Sequence, residues 1–224
     1  MEKLVTFGEA VLALEQGKRV ARKGWNGKGL FIIKQVPATI GLDIVPNMQS
    51  LPQSVKDTFK NRGLASVAIK SPDKKEGMEG ITPAEPFSFI QYKNQLCIVY
   101  PNNVLFGYSA STSDALAEDW VILDPDLPKQ DLREEVPVIG LRFGEAIENL
   151  RAGKTLTRIG WNASDMWLYY VPTAKYKTMT DAAKEAFGDT VSYREYLALK
   201  TAQGDVATWS PSNTDVFATD WVVL

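Results

Sequence analysis

The chain states its principal motif twice, and that repetition constrains its fold more than any other feature. Residues 7–26, FGEAVLALEQGKRVARKGWN, match residues 143–162, FGEAIENLRAGKTLTRIGWN, at eleven of twenty positions with a constant offset of 136. The tails repeat as well. STSDALAEDWVIL (111–123) lies over SNTDVFATDWVVL (212–224) with seven of thirteen positions identical, at an offset of 101. Identity this dense at fixed spacing marks a duplicated unit. The smaller offset at the tails means that copy one carries about 35 extra residues. Val36-Pro37 stands opposite Val171-Pro172 and Tyr92 opposite Tyr193, which places the surplus at about 38–90. Residues 124–138, DPDLPKQDLREEVPV, hold three prolines and seven charged residues, a composition suited to a solvated connector. The expected organisation is a first domain at 1–124 with its insertion at 38–90, a linker at 125–138, and a second domain at 139–224.

Each copy reads as a small α+β unit dominated by antiparallel strands. Phe7, Ala10, Val11 and Leu14 recur at helical spacing, and Phe143, Ala146, Ile147 and Leu150 repeat the pattern. Thr6 with Glu9 forms a capping box, and Gly17 and Gly153 are placed to stop the two helices. Short strands follow (RVARK and TLTRI), then a turn at Gly-Trp-Asn, then LFIIKQV or MWLYYV. MTDAAKEAFG (179–188) predicts a second helix in copy two, and SVKDTFKNRG (54–63) is its counterpart. YLALKTA and VATWSPS predict a hairpin around Gln203-Gly204-Asp205, matched by QLCIVYPNNVLFGYS around Asn102-Asn103. A helical turn then leads into the terminal strand. Copy two is only 86 residues long, marginal for a private core, so pairing between copies or between chains would help it.

Composition narrows the chemistry. The chain has no histidine, one cysteine and a net charge of −2. Without histidine there is no Ser-His-Asp or Cys-His nucleophile and no histidine-based zinc site. Acid–base work by carboxylates, lysines or tyrosines stays open. A near-neutral charge gives no general reason to bind long nucleic acid. No run approaches the 18 apolar residues of a membrane span, and MEKLVTFGEA lacks the features of a signal peptide. Cys97, within the apolar run QLCIVY, reads as core and suits a reducing cytoplasm. No Gly-rich phosphate loop, metal-spaced carboxylate set or cofactor fingerprint is present.

Two surfaces could hold a ligand. Trp25 and Trp161 sit in polar Gly-Trp-Asn turns beside Asn26 and Asn162, where an indole is either a stacking platform for a base or part of the core. Trp120 and Trp221, which begin apolar strands, read as core. The second surface is the segment Trp209, Ser210, Pro211, Ser212, Asn213, Thr214 and Asp215, which gathers hydroxyls, an amide and a carboxylate beside an aromatic ring. Such groups fix a polar small molecule, or cap the helical turn that follows. Asp119 and Asp220 could cap, pair with an arginine, or accept from a ribose hydroxyl. Arg22 and Arg158 could meet a phosphate or those same aspartates. The residues alone indicate a duplicated module for a small ligand or a partner.

The order FGEA…L..GK…R.GWN, a VP-ended strand, KYK.MT.AAKEAFG, YLALKTA.G.V.TWSPS..D and a final DW resembles the second family of Thoeris anti-defence proteins. The resemblance covers essentially all of copy two and both ends of copy one. It implies a small phage protein, at work in the cytoplasm of the infected bacterium. Such a protein assembles as a homo-oligomer and sequesters a small cyclic nucleotide messenger without cleaving it. The implied messenger is a glycocyclic ADP-ribose, with cyclic dinucleotides held at a separate site in some relatives. A tandem chain would then form a dimer where single-copy relatives need more protomers. The implied ligand contacts in copy two are Trp161, Asn162 and Asp220, supported by Trp209, Ser210, Ser212, Asn213 and Asp215. Trp25, Asn26, Ser111, Asp114 and Asp119 stand at the matching places in copy one. Copy one departs with Tyr108 for Trp209, Ala110 for Pro211, and Val99-Tyr100 for Lys200-Thr201. A messenger hydrolase and a protein-binding inhibitor are the alternatives.

Overall fold

The computed structural model describes residues 3–25, 29–68, 89–126, 128, 138–161 and 165–224. Asn26, Asn162 and most of the expected linker, 127 and 129–137, lie outside the described residues, as does 69–88 of the insertion. The described chain is α+β with antiparallel sheets throughout.

Copy one contributes β1 (Leu4–Val5), α1 (Phe7–Glu15), β2 (Val20–Arg22), β3 (Phe31–Gln35), β4 (Ala38–Gly41), α2 (Gln53–Ala68), β5 (Phe89–Tyr92), β6 (Gln95–Val99), β7 (Leu105–Tyr108), α3 (Thr112–Ala115) and β8 (Trp120–Ile122). Copy two contributes α4 (Phe143–Arg151), β9 (Leu156–Arg158), β10 (Trp167–Val171), β11 (Ala174–Lys177), α5 (Asp181–Phe187), β12 (Thr190–Tyr193), β13 (Tyr196–Lys200), β14 (Val206–Trp209), α6 (Asn213–Val216) and β15 (Trp221–Val223). The sheet orders are β1-β8-β2-β3-β6-β7 and β14-β13-β10-β9-β15, one the counterpart of the other apart from β1. An isolated bridge between Leu141 and Trp221 stands where β1 pairs β8.

Local chemistry explains the helices. Thr6 accepts from the Glu9 N–H at 3.3 Å, while Glu9 accepts from the Thr6 N–H at 2.8 Å, closing the box at the start of α1. Glu145 accepts from the Arg142 N–H at 2.8 Å at the start of α4. Both helices end on glycines in the left-handed region, Gly17 at φ 77° and Gly153 at φ 83°.

Register corrects one detail of the repeat alignment. Val171 closes β10, whereas β3 ends at Gln35, so Val36 follows its strand and the two Val-Pro pairs are one residue out of step. The surplus lies between Gly41 and Phe89 of copy one, against Lys177 and Thr190 of copy two. It therefore lengthens an excursion that both copies make, a two-stranded sheet carrying a helix. The chain divides into two compact units, Val36–Lys93 and the remainder. The second of these holds the rest of copy one together with copy two.

Within that larger unit the copies share one core. Phe7, Leu14, Val20, Ile32, Leu96 and Trp120 belong to the same buried cluster as Phe143, Leu150, Leu156, Leu168, Leu197 and Trp221. Helices α1 and α4 meet through glycine. A Cβ on Gly8 would lie 2.6 Å from the Gly144 Cα, and one on Gly144 would lie 2.8 Å from the Gly8 Cα. The Phe7 and Phe143 rings meet edge-on at 6.0 Å. Two further contacts recur about an approximate twofold. Thr112 Oγ1 donates to the Trp209 carbonyl at 2.6 Å, and Asn213 Nδ2 donates to the Tyr108 carbonyl at 3.3 Å. Asn213 Oδ1 also accepts from the Leu96 N–H at 3.2 Å. The shared core removes the weakness of a copy of only 86 residues, because each copy buries its helix against the other.

Candidate functional site

The arginines ending β2 and β9 organise the two Gly-Trp turns. In copy two, Arg158 donates through Nε to Asp220 Oδ1 at 2.8 Å and through Nη1 to Asp215 Oδ1 at 2.7 Å. Asp220 Oδ2 accepts from the Gly160 N–H at 2.8 Å, and a Cβ on Gly160 would come within 2.9 Å of that oxygen. The repeated glycine is thus a close approach of backbone to carboxylate. Asp215 Oδ2 accepts from Ser212 Oγ at 2.7 Å and from the Ser212 N–H at 2.9 Å. The Trp161 Nε1–H donates to Asp215 Oδ1 at 3.3 Å, and the Trp221 Nε1–H donates to the Asp215 carbonyl at 3.2 Å.

Copy one repeats the arrangement. Arg22 donates to Asp119 Oδ1 at 2.6 Å and to Asp114 Oδ1 at 2.8 Å, and Gly24 N–H donates to Asp119 Oδ2 at 3.1 Å. Ser111 Oγ donates to Asp114 Oδ2 at 2.7 Å. Each arginine also lies over the face of the core tryptophan beside it, 5.8 Å from Trp120 and 5.7 Å from Trp221.

These pairs shape the electrostatics. Burial by itself raises the carboxyls of Asp119 and Asp220, but hydrogen bonds from Arg22 and Arg158 and from the glycine N–H groups outweigh it. Both carboxyls end below their ordinary range, as does Asp114, where Ser111 and Arg22 overcome the same burial. The Tyr108 phenol is pushed far above the usual tyrosine range, first by burial and then by the Asp114 carboxylate.

The structure therefore gives most of the expected polar residues internal work. Of the roles open to Asp119, Asp220, Arg22 and Arg158, the ion pair is the one they fill. Ser111 and Ser212 are N-caps of α3 and α6, and Asp114 and Asp215 complete their capping boxes. Asn213 bridges the copies. Ser210 is exposed, with its hydroxyl 3.3 Å from Thr112 Oγ1. Trp120 and Trp221 are fully buried, and Cys97 is buried as expected. Trp25 and Trp161 are half-buried, packed on the core at one face. Trp25 stands 5.8 Å from Trp120 and 6.4 Å from Tyr108, and Trp161 stands 5.6 Å from Trp221 and 6.4 Å from Trp209.

Beside Trp25 a cavity of about 550 Å³ opens, within the range of small-ligand sites. Arg19, Ala21, Lys23, Phe31 and Val121 line it along with Trp25 and Arg22. Arg19 lies over the Phe31 ring at 5.0 Å and donates through Nε and Nη2 to the Asp124 carboxylate, each at 2.7 Å. Arg19, Lys23 and Phe31 were not singled out by sequence. The signal available was the basic run RVARK leading into the turn. No carboxylate, thiol or hydroxyl is among the described lining side chains. Two aromatic rings beside cationic side chains can engage a phosphorylated ring compound by stacking and charge. Among the described residues no three potential metal ligands gather, and no helix is long and apolar enough to cross a membrane.

Comparison with known proteins agrees with the repeat. A family model described as Thoeris anti-defense 2-like domain matches residues 5–123 and again 141–224. The protein named Thoeris anti-defense 2, from Bacillus phage SP01, is 33% identical over 93 residues, which are 38% of this chain and 94% of that relative. Two matches over nearly the whole length, each falling on one copy of the repeat, show that this chain belongs to the Thoeris anti-defense 2-like family, in a tandem form.

Proposed function

We propose that the protein is a phage anti-defence protein that binds a cyclic nucleotide messenger and holds it uncleaved. The messenger class is glycocyclic ADP-ribose or a cyclic oligonucleotide, as the family resemblance implies. The observation that carries this reading is the cavity at the Trp25 turn, where Trp25 and Phe31 stand beside the exposed Lys23 ammonium and no carboxylate, thiol or hydroxyl is among the described lining side chains. Trp161 occupies the matching place in copy two. A sponge works by mass action: a tight binder in excess of messenger keeps the free signal low. It needs a pre-formed pocket and no turnover, and the Arg–Asp–Asp pairs that pin each Gly-Trp turn supply that rigidity.

The test is to incubate the protein with cyclic ADP-ribose isomers and with cyclic di- and trinucleotides, denature it, and assay what is released. Stoichiometric capture and full recovery of intact nucleotide are expected. Altered nucleotide, formed at substoichiometric protein, would overturn the reading in favour of a hydrolase. Absence of any bound nucleotide in native mass spectrometry, with a co-purifying defence protein, would replace it by a protein-binding inhibitor.

A further inference from the structure

The two Gly-Trp turns are built alike but differ in charge. In copy one the side chains around the turn are Arg19, Arg22 and Lys23; in copy two the matching positions are Thr155, Arg158 and Ile159. Most of these cations are already committed. Arg22 and Arg158 each face two aspartates, and Arg19 is clamped on Asp124. Val99 of copy one is replaced in copy two by Lys200, which is likewise held by the carboxylate and carbonyl of Asp165. Lys23 is different. It is exposed, it lines the cavity, and no acid is paired with it among the described residues. Its counterpart Ile159 is 61% exposed, an apolar side chain at the position where copy one carries an ammonium.

We infer that Lys23 is a specificity-determining residue that makes the copy-one cavity the tighter site for a ligand bearing phosphate charge, with copy two, where Ile159 stands, the weaker. The inference rests on the proposed nucleotide binding and adds which copy takes the more anionic ligand and through which side chain. A base stacked on the half-buried Trp25 leaves its phosphate near Lys23. There the Lys23 ammonium, with no acid paired to it among the described residues, supplies a charge-assisted hydrogen bond that the arginines, bound to their aspartates, do not. Exposure to solvent keeps its worth modest, and salt screens it.

The experiment exchanges the two residues in the full chain. Lys23→Ile, Lys23→Arg, Ile159→Lys and the double exchange are titrated by calorimetry with cyclic ADP-ribose and 3′,3′-cyclic di-AMP. Adenosine serves as the uncharged comparison, and each titration is run at low and high salt. Lys23→Ile is expected to weaken binding of the dianions at the tighter site by about tenfold, equal to about 1.4 kcal/mol. It should flatten their salt dependence and leave adenosine unchanged. Lys23→Arg should restore the affinity, and Ile159→Lys should tighten the weaker site. Lys23→Ile binding the dianions as the parent does, at both salts, would overturn the inference and leave the function standing. A parent protein that binds no nucleotide would overturn both.

Discussion

Replacing Gly8 by alanine tests the contact that makes the two copies one body. On an isolated helix the change would stabilise, since alanine exceeds glycine by about 1 kcal/mol in helix propensity. Here the new Cβ would meet the Gly144 Cα at 2.6 Å, where ordinary contact begins near 3.4 Å. The obstacle is backbone, so no rotamer change relieves it, and the helices must separate by several tenths of an ångström. Around that point Phe7, Ala10, Phe143 and Ala146 are at most 2% exposed and Ile147 is 7% exposed, so separation loosens contacts on both sides. Overpacking of this kind costs about 1–3 kcal/mol, and the propensity gain offsets only part of it. A net destabilisation of about 1–2 kcal/mol is expected, or about 2–8 °C in Tm for a chain of this size. Urea denaturation followed by circular dichroism measures it, with Gly107→Ala as the control because a Cβ there meets nothing within 4 Å. Gly144→Ala should match Gly8→Ala. The double variant should cost less than their sum, because one separation accommodates both methyl groups. A Gly8→Ala protein as stable as the parent would refute the helix crossing and the shared core built on it.

Other expectations follow from the paired turns. Arg158→Ala leaves Asp215 and Asp220 facing one another with little solvent. It should cost about 3 kcal/mol, and Arg158→Lys should recover only part of that, since one ammonium cannot reproduce the two-armed contact; chemical denaturation of both variants decides this. The folded-state carboxyls of Asp114, Asp119 and Asp220 are depressed, so the stability they contribute is complete above the unfolded carboxylate pKa of about 4 and is lost as pH falls through the lower folded values. With no histidine to titrate, Tm should change little between about pH 6 and 8 and fall steeply in acid; a steep slope near neutrality would contradict the assignment. Trp25→Ala should weaken nucleotide binding by about 1–3 kcal/mol, the usual worth of a stacked base, while the far-ultraviolet spectrum stays that of the parent. Unfolding of that variant would make Trp25 a core residue.

Much of this was legible in one chain because the repeat supplied its own internal comparison. Helical spacing in α1 and α4, the Thr6–Glu9 box and the glycine stops are local features, read from neighbours in sequence, and they stand where expected. Trp120 and Trp221 could be assigned to the core because they start apolar strands. The ambiguities fell on polar side chains with several possible partners. Asp119 lies 97 residues from Arg22, and nothing local distinguishes a carboxylate awaiting a ribose from one already held by a guanidinium. The serines and aspartates of α3 and α6 were ambiguous for the same reason, since capping and ligand binding call for the same groups.

The amino-acid sequence by itself determined the duplication, the antiparallel α+β plan of each copy, and the family to which both belong. Those follow from periodicity, caps and repeated motifs, all short-range properties of the chain. Only the tertiary structure decided that Gly8 and Gly144 are the crossing point of two helices, that Asn213 and Thr112 tie the copies together, and that the arginines are spent on aspartates while Lys23 is left at the cavity rim. The physical reason is the same in each case. A close approach or a hydrogen bond belongs to two groups distant in sequence, and which two meet is settled by how sheets and helices stack.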